Sequence, residues 1–281
     1  MPKLSIIIPT HKRADILKQC LDHLASQTIA DAIEVIVIHD GHDDKTDALM
    51  AKHSWQIPIY YESIPKSQQG VARNVGVQKA QSSTCLFIGD DIFLSPQACE
   101  RHMKAHEKSS TPIAVIGDID WDPNVGITKA MTWLMDSGWQ FGFKKIEQFK
   151  NDFIPQSMQH LFSYTSNISV PTEVALRTPF RNDITMYGWE DMEWGMQLRK
   201  NGVRLFFEPH AKGLHHHKID LPASLKRMEV IGTSAIIIGN LIDEFDRVPK
   251  GWKRIGYEIL SHLPTMAGKH RKAFLKGIRK A

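Results

Sequence analysis

The chain has 281 residues, 42% of them hydrophobic, and 35 Lys and Arg against 31 Asp and Glu for a formal net charge of +4. This is enough apolar material for one large α/β domain, or for one domain with an appendage, and it predicts a globular fold. No apolar run is long enough to cross a bilayer; the longest near the C-terminus, Ala235 to Ile238, is interrupted on both sides by Gly232, Gly239 and Asn240.

The N-terminal MPKLSIIIPTHKR passes from five apolar-rich residues straight into Pro and basic residues, so it lacks the length and cleavage site of a signal peptide and predicts a cytoplasmic protein. Leu4 to Ile8 reads as a strand closed by Pro9, followed by a helix with Leu17, Cys20, Leu21 and Leu24 on one face. Ile33 to Ile38 repeats the strand signal and ends in His39-Asp40-Gly41, before a helix over Asp43 to His53. A weaker strand, Ile59 to Tyr61, precedes a small-residue helix over Gly70 to Ala80. Thr84 to Ile88 is a continuous apolar run ending at Gly89-Asp90-Asp91. Ser95-Pro96 reads as an N-cap with Pro at the first helical position, for a helix through about His106. Strands alternating with helices predict a largely parallel sheet covered on both faces. Three widely spaced cysteines, Cys20, Cys85 and Cys99, read as small buried hydrophobes rather than a disulfide framework or metal site.

The second half is less regular. Ile113 to Ile119 and Ser163 to Val170 read as strands, and the Trp-, Phe- and Gly-rich stretch from Trp121 to Phe153 between them reads as a substrate-facing lobe. A helix over Glu190 to Asn201 stops at Gly202, and Val203 to Phe207 and Lys212 to His217 read as two short strands. Between Arg247 and Ala281, ten Lys or Arg against the single acid Glu258 give a local charge of +9, leaving −5 for the rest of the chain. Within that tail Trp252, Ile255, Ile259 and Leu263 form one apolar helical stripe, and Phe274, Leu275 and Ile278 follow among basic residues. The pattern fits an interfacial helix on an anionic membrane surface and fits equally a helix packed on its own domain.

Pro9 to Arg13, Asp40-Gly41 and Asp90-Asp91 each follow a strand at once, which predicts that they gather at the carboxyl edge of the sheet, where open α/β folds bind ligands. Two adjacent carboxylates at the end of a buried strand repel each other and resist desolvation, so a cation is expected beside Asp90 and Asp91. His215, His216 and His217 follow a strand, and alternation sends the first and last to one face and His216 to the other.

The succession SIIIPTHKR, VIVIHDG, GVARNVG, LFIGDDI, YGWEDMEWGMQLRKNG and AKGLHHH resembles the family 2 glycosyltransferases over roughly residues 4 to 217. The resemblance implies the GT-A fold, a Rossmann-like, mostly parallel sheet, here with a C-terminal helical appendage. It implies residues 1–220 as the transferase domain (1–112 for the nucleotide, 113–220 for acceptor and catalysis) and 221–281 as a basic helical segment. It also implies inverting transfer from a nucleoside-diphosphate sugar, UDP expected, assisted by Mn²⁺ or Mg²⁺, to a glycan or lipid-linked acceptor, with no nucleic acid involved. On the matching positions, Pro9 and Thr10 contact the nucleotide, Asp40 reads the uracil ring with Gly41 turning the backbone beneath it, and Arg73 donates to base or phosphate oxygens beside Asn74. Gly89 stands where the common motif has its first Asp; Asp91 is expected on the metal and Asp90 on the ribose or behind the metal. His215 is a further metal ligand, with His217 as its rival. Asp191 is the expected general base, shielded by Trp189 and Trp194, and Glu190 holds the acceptor. His11 and Arg13 lie near the nucleotide loop with no assigned role. A sugar nucleotidyltransferase would want a glycine-rich loop after the first strand, which SIIIPTHKRAD lacks. A membrane- or nucleic-acid-binding module would use the tail but leave the Asp, Glu and His positions unexplained.

Overall fold

The computed structural model describes residues 2–52 and 54–281. Strands β1 (Leu4–Thr10), β2 (Ile33–Asp40), β3 (Ile59–Ile64) and β4 (Thr84–Ile88) pair in parallel in the spatial order β3-β2-β1-β4. Helices α1 (Ala14–Ala25), α2 (Asp44–Lys52) and α3 (Gln69–Lys79) fill the connections; the expected end of the second helix at His53 lies outside the described residues. Every residue of β1, β2 and β4 is buried, as continuous apolar strands covered on both faces require. On α1 the buried residues are Leu17, Cys20, Leu21 and Leu24, the face its spacing predicts. All three cysteines are buried and free.

Beyond β4 the sheet becomes mixed. The remaining elements are β5 (Ile92–Leu94), α4 (Ala98–His106), β6 (Ile113–Trp121), α5 (Lys129–Ser137), β7 (Asp152–Phe153), β8 (Asn167–Pro171), α6 (Thr172–Arg177), α7 (Glu190–Lys200) and β9 (Arg204–His215). β8 runs antiparallel to both β4 and β6, while β9 is parallel to β6 and antiparallel to β5 and β7. The two short strands expected over 203–217 are the single strand β9. Its ladder with β6 jumps from Glu208 to Lys212 between Gly117 and Asp118, a bulge that absorbs the interruption read as a break.

One other expectation is corrected. Ser95-Pro96 does not open α4: the helix begins at Ala98, and Ser95 closes a turn by accepting from the Ala98 N–H at 2.9 Å. The irregular lobe contains α5, capped by the Thr128 hydroxyl, which accepts from the Met131 N–H, and ended by Gly138 at φ +67°.

The C-terminal segment forms α8 (Leu221–Leu241), α9 (Gly251–Ser261) and α10 (Met266–Ile278), with α10 lying along α8 and against α9. Ala235, Ile238, Phe245 and Phe274 make a second apolar core with Ile184, against which Trp189 and Met192 pack. The stripe on α9 faces the other way: Trp252 is 87% exposed and Ile259 65%, with Ile255 also exposed, as is Leu263 just beyond the helix. Among the described residues no helix is long and apolar enough to cross a membrane.

Candidate active site

Strand ends deliver the first half of the site. The Thr10 hydroxyl, at the end of β1, donates to Asp90 Oδ2 at 2.7 Å. Arg13, just past β1, spans the carboxylate pair, donating to Asp90 Oδ1 and Asp91 Oδ2 at 2.8 Å each. Arg13 is thus the chain's own cation for the paired carboxylates, a role the sequence did not disclose. Burial pushes the Asp90 carboxyl up to about 6 against the pull of Arg13. Burial opposes charge on Asp91 as well, but hydrogen bonds from His215 and His217, with Arg13 nearby, outweigh it and hold that carboxyl well below the usual range. Gly89 has a local reason: a Cβ there would lie 2.9 Å from Asp91 Oδ1, so a side chain would displace the carboxylate.

Sheet pairing brings the histidines to Asp91. Ile92 pairs with His215 across β5 and β9, and the His216 N–H donates to the Asp91 carbonyl at 2.8 Å. His215 Nε2 then lies 3.3 Å and His217 Nδ1 3.5 Å from Asp91 Oδ2, whereas His216 turns away to Asp122 at 2.6 Å. The alternation expected of the triplet is therefore present. Trp121 stacks on His215 at a centroid distance of 5.0 Å, fixing the ring, and His215 Nδ1 is buried with no hydrogen-bond partner. One ligand atom from each of Asp91, His215 and His217 lies within 4.8 Å of the others. A carboxylate and two imidazoles converging in this way fit a divalent transition ion, and the nitrogen content suits Mn²⁺ better than Mg²⁺.

Asp40, at the end of β2, is 3% exposed. Its Oδ1 accepts from the Ser67 N–H at 2.6 Å and from the Ser67 hydroxyl at 3.0 Å, and its Oδ2 takes an ion pair from Lys66. Burial works against its charge, yet Lys66 and Ser67 together hold its carboxyl below the usual range. Gly41 follows at φ +116°, a turn that favours glycine, and His11 Nδ1 sits 2.7 Å from the Asp40 carbonyl. Lys66 and Ser67 lie in the β3–α3 connection and carried no sequence signal.

The second half of the site is the start of α7. Gly188 and Trp189 both have positive φ, +89° and +74°; for a tryptophan this is a strained conformation that its surroundings must enforce. They do so from the C-terminal helices, since Trp189 Nε1 donates to the Ile231 carbonyl of α8 at 3.1 Å and its ring meets Phe245 edge-on at 5.1 Å. Asp191 follows, its Oδ1 accepting from the Thr165 hydroxyl at 2.6 Å and its Oδ2 from the Thr165 N–H at 3.3 Å. Glu190 accepts from Gln69 through one oxygen, while Oε2 is sealed from solvent without a partner. Burial and the neighbouring Asp191 push its carboxyl up to about 7, against Arg73.

Arg73 is 3% exposed and stands near Glu190 and Asp191. Burial lowers its pKa against those two carboxylates, its guanidinium lies 5.6 Å from the Phe180 ring centroid, and two of its nitrogens have no partner. Asn74 instead braces the neighbouring loop, donating to the Phe180 carbonyl at 2.8 Å. Trp194 does not shield Asp191, contrary to expectation: it points into the core, stacked on Phe180 at 4.8 Å with Phe87 edge-on. Thr165, which orients Asp191, was not foreseen.

Pro9, Thr10, Asp40, Arg73, Asp90, Asp91, Glu190, Asp191, His215 and His217 all line one cavity of about 910 Å³. The site residues expected from the sequence are thus brought together, and α8, α9 and α10 contribute to the far wall.

The chain is 27% identical over 240 residues to a validoxylamine A glucosyltransferase of Streptomyces hygroscopicus subsp. jinggangensis, covering 76% of this chain and 55% of the relative. A second such enzyme is covered to 51%, so the chain spans about half the length of these curated relatives. Among solved structures it resembles S. aureus TarS 1-349 in complex with UDP (TM-score 0.59, 16% identity, 83% of this chain and 65% of that one). It also resembles the mannosyltransferase PcManGT from Pyrobaculum calidifontis in complex with GDP-Man and Mn²⁺ (TM-score 0.61, 14% identity, 100% and 76%). These likenesses identify the fold as GT-A. The family model described as glycosyl transferase family 2 matches residues 5–165, more than half of the chain and including Thr10, Asp40 and Asp90-Asp91, and the chain belongs to that family.

Proposed function

We propose that this glycosyltransferase transfers a sugar, with inversion at the anomeric carbon, from a nucleoside-diphosphate sugar to a hydroxyl of a glycan or lipid-linked acceptor. The observation that carries the reading is the opening of the Asp91, His215 and His217 cluster and the Thr165-oriented Asp191 into one cavity. Asp40 receives the base. A carboxylate fixed by Lys66 and Ser67 accepts from a ring N–H such as uracil N3–H, while Lys66 is placed to donate to the flanking carbonyl. Uracil fits this pair and cytosine, which lacks the ring N–H, does not. Pro9 and Thr10 form the floor under the nucleoside, and Asp90, tied to Thr10, backs Asp91 or meets the ribose.

Asp91, His215 and His217 would hold Mn²⁺, or less suitably Mg²⁺, which when bound supplies positive charge for the leaving diphosphate. Arg13 adds its own charge at the same place. As the acceptor oxygen bonds to the anomeric carbon, the bond to the diphosphate oxygen breaks on the opposite face. Asp191 takes the hydroxyl proton, and the diphosphate leaves with the bonding pair. Thr165 holds Asp191 in position, and Glu190, beside it on the cavity wall, holds the acceptor. Arg73 balances these two carboxylates from the donor side of the cavity.

The same reading places the enzyme at the surface of an anionic bilayer. Trp252, Ile255 and Ile259 project from α9, and the exposed Leu263 follows it. Lys250 and Lys253 beside them are exposed and have no carboxylate partner among the described residues. That combination complements acidic lipid headgroups over an apolar interior.

A thermal-shift panel of UDP-, GDP-, dTDP- and CMP-sugars with and without Mn²⁺ tests the donor reading, because a specific ligand raises apparent stability by mass action. UDP-sugars with Mn²⁺ should give the largest shift and CMP-sugars none. Equal responses to all four would remove the role given to Asp40.

A further inference from the structure

The cavity continues past Asp191 to a wall that nucleotide, metal and base leave unused. Three segments build it: residues 138–142, the loop leading into α7, and α8. Arg227 of α8 joins them, with Nε donating to Tyr187 Oη at 2.9 Å and a terminal nitrogen donating to Gln140 Oε1. Both partners are neutral. Lys145 lines the same cavity with its side chain against Gly138, where a Cβ would lie 2.9 Å from Lys145 Cε. Among the described residues neither Arg227 nor Lys145 has a carboxylate in ion-pair range. Their neighbours differ: Arg247, on the same wall, is neutralised by Asp246, and Arg13 by Asp90 and Asp91. Trp139, Tyr187 and Tyr257 line the same cavity, with the Arg227 guanidinium 5.8 Å from the Tyr187 ring centroid. Two uncompensated cations on an aromatic wall suit a ligand with an apolar ring face and a negative group, because a charge-assisted hydrogen bond there relieves both charges.

We infer that this wall is the acceptor subsite and that it selects an acceptor carrying a phosphate or carboxylate, held by Arg227 and Lys145. The inference rests on the reading of donor and base above, which makes the far side of Asp191 the acceptor's side. Neither cation is placed at the nucleotide or at the proton transfer, so their removal separates acceptor from donor binding.

The test titrates glucose 1-phosphate, glucuronate and glucose by calorimetry into protein saturated with UDP and Mn²⁺. One or both anionic compounds should bind at least about tenfold more tightly than glucose, the tighter of them naming the group selected. The Arg227→Gln and Lys145→Gln variants should lose that preference while keeping wild-type affinity for UDP. Lys145 is exposed and unpartnered, so its variant keeps the test valid if Arg227→Gln loosens the loops. Equal binding of all three compounds would overturn the inference and leave the donor reading intact. Loss of UDP affinity in both variants would also overturn it, by assigning the cations to the diphosphate. An anion preference lost in both variants, in a protein that does not bind UDP, would keep the subsite and overturn the proposed function.

Discussion

Replacing Glu190 by glutamine should make the protein more stable at alkaline pH while changing little near pH 5. Glu190 keeps its proton up to about 7 in the folded chain, against an ordinary 4.5, because burial and Asp191 outweigh Arg73. An acid whose folded pKa is raised destabilises the fold as pH climbs: between about 4.5 and 7 the unfolded chain has released the proton and the folded chain retains it, so stability falls with pH across that window. At about 1.4 kcal/mol per pKa unit the full effect is about 3 kcal/mol, and the partial exposure of the residue reduces it to about 2 kcal/mol. The glutamine retains an oxygen to accept from Gln69 but has no charge to bury. With an unfolding entropy of about 2.1 cal/mol/K per residue, the variant's Tm relative to wild type should rise by about 3 °C on going from pH 5 to pH 8. Differential scanning calorimetry of both proteins at the two pH values measures this directly. A Tm difference independent of pH would refute the assignment of a buried, proton-retaining carboxyl to Glu190.

Asp191→Asn keeps the Thr165 contact but cannot take a proton, so single-turnover transfer should fall by about two to four orders of magnitude with donor affinity little changed; near wild-type transfer would move the base to Glu190. Trp189→Phe removes the donor to the Ile231 carbonyl that holds a positive φ, and should cost about 1 kcal/mol of stability by urea unfolding and lower the transfer rate more than donor affinity. Unchanged stability and rate would mean that α8 does not position the start of α7. Replacing Trp252 and Ile259 together by serine should abolish co-sedimentation with anionic vesicles at low salt and spare UDP binding. Wild-type protein that ignores such vesicles would end the membrane reading.

The parts of the site that were legible in the sequence are those fixed by short-range geometry. Asp40 and Asp90-Asp91 follow apolar runs immediately, and parallel pairing of β1 with β2 and with β4 places such residues on one sheet edge. The separation of His215 and His217 from His216 follows from the two-residue period of a strand. What stayed hidden depends on pairing between distant segments. Thr165 meets Asp191, and Lys66 meets Asp40, only once the loops that carry them are folded. Trp194 was misplaced because a helix periodicity does not say which face turns to the core, and the same ambiguity covers α9, whose stripe proved to face outward. The helix α5 could have been found from Thr128, the buried Ala130, Met131 and Leu134, and the stop at Gly138. The aromatic residues around it, Trp121, Trp139 and Phe141, masked that pattern.

The most direct test of the central claim, that the nucleotide diphosphate is held at Asp91, His215 and His217, is calorimetric titration of UDP into wild-type, Asp91→Ala and His215→Ala protein with Mn²⁺ and with chelator. The account predicts that Mn²⁺ tightens UDP binding at least about tenfold in wild type, a difference of about 1.4 kcal/mol, and that either substitution removes the enhancement. Equal UDP affinity with Mn²⁺ and with chelator in wild type, or an enhancement that survives both substitutions, would contradict it.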